Sequence, residues 1–291
     1  MPPLILLCTG LGRVNRGFEQ YIASLAIQLS QTPGFTRPLQ VWSGGPWRHT
    51  GIRSRQIPNL PRQHALAPRG YKGFIGEQLS FFAGMLPRLW RARGATFYLG
   101  EYRLYCYLYK WRQWWGLRYR LILYTGGQAI PGPGLFDARY DRLHHITDVY
   151  LPQCAHIPAP NQFVIPHFID TGFTYDASLR KAIQHQAGGK KIILSVGLLD
   201  TRIKRMDVWL KALAPQAKDY FPILLGQPSA DTPAIVNLLE KTFGPGGYML
   251  TQVPHAQLGS YYAVAHAFVL ASPAESFGLA LVEALYHGLP V

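Results

Sequence analysis

The chain has 291 residues, of which 48% are hydrophobic, three cysteines and a formal net charge of +14. That length and apolar content suffice for two ordinary domains, each with its own core, and exclude a disordered chain. Cys8, Cys106 and Cys154 lie far apart with no C-x-x-C pair, which argues against a disulfide framework or structural zinc site and for a reducing, cytoplasmic compartment.

The apolar opening, residues 2–8, is too short for a signal-peptide core and runs straight into a glycine-rich loop, so it reads as a first buried strand. A helix is expected from about Gly17, with Ile22, Leu25, Ala26 and Leu29 on one face and Pro33-Gly34 ending it. Strands follow at 39–42, 96–99, 121–124, 144–147 and 163–165, with an amphipathic helix over 74–90. Residues 43–70 are rich in Pro, Gly and Arg without periodicity and are expected to form a mobile surface loop. A helix over 102–115 places Leu104, Leu108, Trp111 and Trp115 on an apolar stripe expected in the core. Beside it, Arg103, Tyr107, Lys110 and Trp114 form a stripe suited to anionic lipid.

After a polar stretch ending in Gly188-Gly189, strands are expected at 191–196, 221–225, 248–251 and 267–270, separated by helices over 207–214, 232–243 and 255–264. The fold class is therefore α/β, with two α/β units, 1–168 and 169–291, and a cleft between them where ligands bind. No apolar run is long enough to cross a bilayer. Residues 1–168 hold 19 Lys and Arg against 6 Asp and Glu, while the remainder holds 10 against 9. So one-sided a positive field attracts anionic partners such as lipid head groups or a phosphorylated substrate.

The sharpest chemical signal is Ser272-Pro-Ala-Glu275-Ser-Phe-Gly-Leu-Ala-Leu-Val-Glu283, followed by Gly288. It reads as a strand end, a turn and a helix from about Gly278 to Gly288. The N–H groups of Ser276, Phe277, Gly278 and Leu279 would then sit at the positive end of that helix, where phosphate or sugar oxygens bind well. Glu275 precedes the helix and Glu283 lies inside it, opposite Val282 and Leu285. Two carboxylates so placed can accept hydrogen bonds from separate hydroxyls of one ligand.

This segment resembles the E-x7-E signature of retaining glycosyltransferases of the GT-B fold, family 4, also called glycosyl transferase group 1. The resemblance implies two Rossmann-like domains facing across a cleft, an N-terminal acceptor-side domain and a C-terminal donor-binding one. It implies that Glu275 contacts the donor sugar and Glu283 the nucleotide ribose. The family places a glycine, an Arg and a Lys upstream to hold the donor diphosphate; Gly197 and Lys204 match, with Arg205 following. The family's Arg is Leu198 here, and Arg202 is the stand-in. Val253-Pro254-His255 is similar to the turn beneath the nucleobase, and Pro166-His167-Phe168-Ile169-Asp170 to the interdomain segment, with Phe168 in place of a glycine.

In the first unit, Gly10-Leu-Gly12-Arg13-Val-Asn15-Arg16-Gly17 resembles the family's glycine-rich loop, where Gly12 lets the backbone approach the donor phosphates. Arg13, Arg16, His144 and His145 are acceptor-side candidates. A dinucleotide fold needs glycine at Asn15 and an acid after strand 39–42, and has neither. No cofactor is expected beyond a UDP- or GDP-sugar donor, and no metal, since no Asp-x-Asp site is present and cations of the protein, Lys204 above all, take that part. Lys204 and Glu275 are the expected catalytic groups, and no enzymic nucleophile is nominated.

The resemblance implies sugar transfer to a hydroxyl acceptor with retention of configuration. The acceptor stays open, a lipid-linked one or a polysaccharide being the candidates, and the basic charge of residues 1–168 with the stripe on helix 102–115 is what points to an anionic membrane surface. A GT-B epimerase or phosphorylase stays open as an alternative. A basic nucleic-acid-binding protein has no RRM, KH or helix-turn-helix signature to support it, so no nucleic acid is expected. Leu289-Pro290-Val291 reads as the start of a further strand. The second domain is therefore expected to be incomplete, by roughly 80–100 residues.

Overall fold

Apolar residues at Leu4–Cys8 form β1, a central strand of a seven-stranded, all-parallel sheet. The computed structural model describes residues 1–14, 17–65, 67–68, 70–126 and 140–291, which divide into two units, Met1–Pro166 and His167–Val291. In unit 1, α1 (Gly17–Gln31), β2 (Leu39–Ser43), β3 (Arg53–Gln56), α2 (Tyr71–Leu89), β4 (Thr96–Leu99), α3 (Tyr102–Trp115), β5 (Arg120–Tyr124), β6 (Arg142–His145) and β7 (Gln162–Val164) follow β1. The strand order is β3-β2-β1-β4-β5-β6-β7, a doubly wound sheet whose direction of winding reverses between β1 and β4. Ligands bind at such a reversal, beyond the carboxyl ends of the strands. Ile5, Leu7, Phe97 and Leu121 from the sheet bury against Phe81, Met85, Leu104 and Leu108 of α2 and α3.

Three expectations for unit 1 change. The segment 43–70 contains β3, whose sequence Arg-Ser-Arg-Gln has no apolar alternation because it is an edge strand held by parallel pairing from Gln40↔Arg53 to Ser43↔Gln56. β6 starts two residues before the expected strand, with Arg142 already opposite Ile122. On α3, Leu104 and Leu108 are fully buried as expected, but Trp115 is 52% exposed and Trp114 75%. The apolar stripe thus leaves the core in its last turn. In the neighbouring stripe, Tyr107 packs its ring 5.6 Å from that of Phe82, and the Arg103 guanidinium covers Tyr71 at 5.6 Å.

Unit 2 contains α4 (Ala177–Ala187), β8 (Lys191–Val196), α5 (Met206–Leu213), β9 (Tyr220–Leu225), α6 (Thr232–Phe243), β10 (Met249–Thr251), α7 (Leu258–Tyr262), β11 (Ala267–Phe268) and α8 (Leu279–Tyr286). Its sheet is parallel in the order β10-β9-β8-β11. α4 arises from the stretch that reads as merely polar, because only Ile183 and Ala187 of its eleven residues are buried. Its ends are well marked: Asp176 Oδ1 accepts from the N–H groups of Ser178 (2.8 Å) and Leu179 (3.1 Å), and Gly188 closes it in the left-handed conformation. The helix expected over 255–264 is a 3-10 turn at His255–Gln257 running into the five-residue α7. Cys8, Cys106 and Cys154 are buried free thiols. Among the described residues no helix is long and apolar enough to cross a membrane.

Candidate functional site

In unit 2 the site starts from two glycines. β8 and β9 pair without a break from Lys191↔Tyr220 to Val196↔Leu225, so Gly197 and Gly226 leave the sheet side by side. A β-carbon on Gly226 would lie 1.6 Å from the Gly197 carbonyl oxygen, which no relaxation of side chains relieves. A β-carbon on Gly197 would meet the Lys204 stem at 3.2 Å, so the bare glycine lets that stem lie across the strand end.

The turn between β8 and α5 fixes Lys204. Buried Asp200 accepts at Oδ1 from the N–H groups of Ile203 (3.0 Å) and Lys204 (2.7 Å), and Asp231 Oδ2 accepts from Thr201 N (3.0 Å) and Thr201 Oγ1 (2.8 Å). Arg205, at φ 49° and ψ 48°, is the one non-glycine residue with positive φ among those described, and it closes the turn onto α5. A left-handed arginine costs about 1 kcal/mol, which the hydrogen-bonded turn must supply. With the turn closed, Lys204 Nζ donates to Glu275 Oε1 at 2.5 Å. Sequence matching singles out both residues, and the fold brings them together. Arg202 is exposed; hydrogen bonds from Thr201 first, and the Arg202 charge to a lesser degree, hold the Asp231 carboxyl below its ordinary range.

Glu275, exposed Ser276 and Phe277 lead into α8, and Gly278 at φ 74° supplies the left-handed residue that begins it. The Phe277 ring packs 5.2 Å from that of His167, and Val253 packs on the core of the unit. Glu283, expected inside α8 on the side opposite Val282 and Leu285, is covered by neighbouring elements. Its side chain is only 7% exposed; His255 Nε2 donates to Oε1 at 2.7 Å and the Tyr262 hydroxyl to Oε2 at 2.9 Å. That hydrogen bond raises the pKa of His255 above its ordinary value despite burial, with Asp170 adding to the effect. His287 lies parallel to Tyr262 with ring centres 4.7 Å apart, and its Nδ1–H donates to the Glu283 carbonyl at 2.7 Å. A carboxylate has about four acceptor positions, of which Glu283 uses two on these partners.

In unit 1 the winding reversal holds a carboxyl that sequence reasoning passes over. Glu101 follows β4 and is buried, with Oε1 accepting from Thr9 N (2.9 Å) and Thr9 Oγ1 (3.0 Å) at the end of β1. Its Oε2 is buried without a hydrogen-bond partner. Burial pushes the carboxyl up to about 7, against the lowering effect of the Thr9 hydrogen bonds. The visible signal is position alone: an acid two residues beyond a strand at the reversal.

The other unit 1 candidates divide. Gly12 has φ +83°, and a β-carbon there would lie 2.9 Å from the backbone of residues 45–47; Gly45 in turn packs on the Gly12 backbone. Its glycine is thus explained by packing against the loop after β2. Arg13 donates to Asn59 Oδ1 at 2.7 Å and, with Gly12, Val14, Glu19, Gln20 and Trp47, borders a concavity of about 350 Å³. Arg16 lies outside the described residues.

His144 Nε2 donates to the Ile165 carbonyl at 2.7 Å while Nδ1 accepts from the Tyr98 hydroxyl at 2.7 Å. His145 uses Gln162 Oε1 at 3.0 Å and Thr125 Oγ1 at 3.4 Å. Burial lowers the pKa of both histidines, so they are neutral struts between strands with no ring nitrogen left for a sugar.

Residues 178–291 match the family model described as Glycosyl transferases group 1. No curated protein matches. Among solved structures, sucrose-phosphate synthase from Thermosynechococcus elongatus is similar over 100% of this chain and 80% of its own, with TM-score 0.74 and 18% identity. Anabaena HepE in complex with UDP and glucose matches over 100% and 80%, with TM-score 0.71 and 14% identity. WaaG, a glycosyltransferase involved in lipopolysaccharide biosynthesis, matches over 99% and 80%, with TM-score 0.70 and 14% identity. The fold is GT-B.

Within this GT-B chain, then, the motif residues Gly197, Lys204, Glu275 and Gly278 cluster at the carboxyl ends of the unit 2 strands. Two participants, His255 and Tyr262, escape sequence reasoning as partners of Glu283. Their separations of 28 and 21 residues from Glu283 carry no periodic signal, and only the fold brings them together.

Proposed function

We propose that the chain transfers a sugar from a UDP- or GDP-sugar to an acceptor hydroxyl, with retention of anomeric configuration and without a metal ion. The observation that carries this reading is the Lys204–Glu275 pair, within a unit that matches the Glycosyl transferases group 1 model. When the bond to the donor diphosphate breaks, negative charge collects on the departing phosphate. A cation already fixed beside it lowers the barrier because nothing need reorganise as the charge develops. Lys204, pinned by Asp200 and by the gap above Gly197, is that cation, with Arg202 and Arg205 adding positive charge around the turn. The UDP and glucose bound by HepE support the donor class.

Glu275 accepts hydrogen bonds from donor-sugar hydroxyls, and N–H groups of Ser276 to Leu279 take phosphate or sugar oxygens at the start of α8. Val253 lies beneath the base and Glu283 takes the ribose. The acceptor oxygen bonds to the anomeric carbon on the face that the diphosphate leaves, and the departing phosphate takes the acceptor proton. No enzymic nucleophile is then needed.

The acceptor, lipid-linked or a polysaccharide, is assigned to unit 1, and the ends of α2 and α3 dock on an anionic bilayer. There the Trp90 and Trp115 rings meet at 5.3 Å, Gly94 N donates to Arg118 O at 2.5 Å, and Trp114 projects into solvent. Between Glu77 and Asp137 the sequence has one acid, Glu101, which is buried, against eight Lys and Arg. Aromatic rings in so basic a stretch suit a surface of anionic head groups.

The test is release of nucleoside diphosphate from a panel of UDP- and GDP-sugars. Lys204→Ala is expected to lower turnover by about a hundredfold or more, and EDTA to leave it unchanged. Loss of activity in EDTA with recovery on adding magnesium or manganese would overturn the metal-free account, and an unchanged rate in Lys204→Ala would overturn the leaving-group assignment.

A further inference from the structure

We infer that His255 is a positioning residue for Glu283, holding its carboxylate at the angle from which it accepts the ribose hydroxyls of the nucleotide. The inference rests on the ribose assignment under the proposed function and adds to it a second residue with a separate, measurable part.

The geometry argues for it from three sides. Glu283 projects from α8 toward the 3-10 turn at 255–257 and α7, and each of these elements sends it one donor. His255 Nε2 lies 2.7 Å from Oε1 and the Tyr262 hydroxyl 2.9 Å from Oε2. Two donors on two oxygens remove the rotation about the terminal carbon that one donor would leave. The side chain cannot swing away without breaking both, and with 7% exposure little of it faces solvent that could replace them.

Tyr262 is itself packed on all sides. It is buried, stacked on His287, and His287 is tied back to the Glu283 carbonyl and to the Tyr175 hydroxyl (3.0 Å). His255 is the more exposed of the two donors, with 32% of its side chain accessible, and its ring rests 5.3 Å from that of Phe173. Among the described residues, the carboxylates acting on His255 are Glu283 and Asp170. A tyrosine alone leaves Oε1 free to turn; the histidine makes the orientation unique. Such an outer partner acts on the ligand only through the residue it holds.

A purely structural histidine would make the same contacts, so the test separates the two by deleting the ribose hydroxyls from the ligand as well as the imidazole from the protein. Calorimetry on the 291-residue chain compares UDP or GDP, whichever binds more tightly, with its dideoxy counterpart lacking both ribose hydroxyls. The unaltered chain is expected to prefer the ribose form by about tenfold or more, as for hydrogen bonds to a charged group. Glu283→Ala should erase that preference. His255→Ala should cut it to about twofold while leaving the dideoxy affinity nearly unchanged, and His255→Gln, whose amide keeps a donor, should restore most of it.

Where the alanine variant folds poorly, His255→Phe fills the same space without a donor and carries the same expectation. If His255→Ala and His255→Phe weaken both ligands alike, or neither, the inference falls while the ribose assignment stands. If Glu283→Ala keeps the preference, the ribose assignment itself falls. If neither UDP nor GDP binds the unaltered chain, the nucleotide-sugar reading falls with it.

Discussion

Replacing Glu101 by glutamine should change how the stability of unit 1 depends on pH. Burial pushes this carboxyl from an ordinary 4.5 up to about 7 in the folded chain. The folded state therefore keeps the proton over a range in which the unfolded chain has lost it. Stability from this group is complete below about pH 4.5 and is lost as the pH rises through about 7. At about 1.4 kcal/mol per pH unit, the loss comes to about 3 kcal/mol by pH 8.5.

Glutamine does not titrate. It keeps an acceptor for Thr9 but puts an amide donor where Oε2 has no partner, a pH-independent cost of about 1–3 kcal/mol. The informative quantity is the difference between the two proteins, in which all other titrations cancel. Relative to the unaltered chain, Glu101→Gln should gain about 2.5 kcal/mol between pH 5 and pH 8.5, so that any deficit at pH 5 shrinks or reverses at pH 8.5. Urea unfolding followed by tryptophan fluorescence suits the measurement, because six of the seven tryptophans lie before residue 167 and report unit 1. Parallel stability profiles from pH 5 to 8.5 would refute the reasoning, since they would mean that Glu101 titrates alike in folded and unfolded chains.

Gly226→Ala should lower the stability of unit 2, read from urea unfolding by circular dichroism, by roughly 2–4 kcal/mol, because the added carbon lies 1.6 Å from the Gly197 carbonyl oxygen; an unchanged midpoint would mean that the two strand ends move apart freely. The chain should sediment with anionic vesicles at low salt and release as salt rises, and the pair Trp114→Ser with Arg118→Glu should weaken this. Equal binding to neutral vesicles, or indifference to the pair, rules out the ends of α2 and α3 as the docking surface.

Strands and helices whose burial is strong are legible in the order of the residues. Residues 192–194 are apolar and, with Ser195, buried on both faces, and 232–243 shows helical spacing, so β8 and α6 match their expected bounds. Where little is buried the sequence is silent: β3 is an edge strand of polar residues, and α4 buries only two side chains. The same division holds at the site. Lys204 and Glu275 are findable because each sits at a fixed offset from a strand end or helix start. The covering of Glu283 by His255 and Tyr262, and the struts made by His144 and His145, depend on contacts across separate elements. A histidine in a sequence looks the same whether its nitrogens face a ligand or a neighbouring strand.

The loops after β1 and β2 touch through main chain at Gly12 and Gly45, and a β-carbon on Gly44 would lie 2.0 Å from the Thr9 carbonyl oxygen. At its closest approaches the seam is therefore main chain against main chain, with only the Arg13 stem and the Asn59 amide reaching it from side chains. Arg13, Val14 and Trp47, by contrast, border the adjoining concavity with side chains that take no part in the seam's closest glycine contacts, apart from the Arg13 stem near Gly45. Such a wall can be relettered without being shifted. Libraries that vary Val14 and Trp47 while leaving the three glycines alone should yield a high proportion of folded variants with altered linings of that concavity.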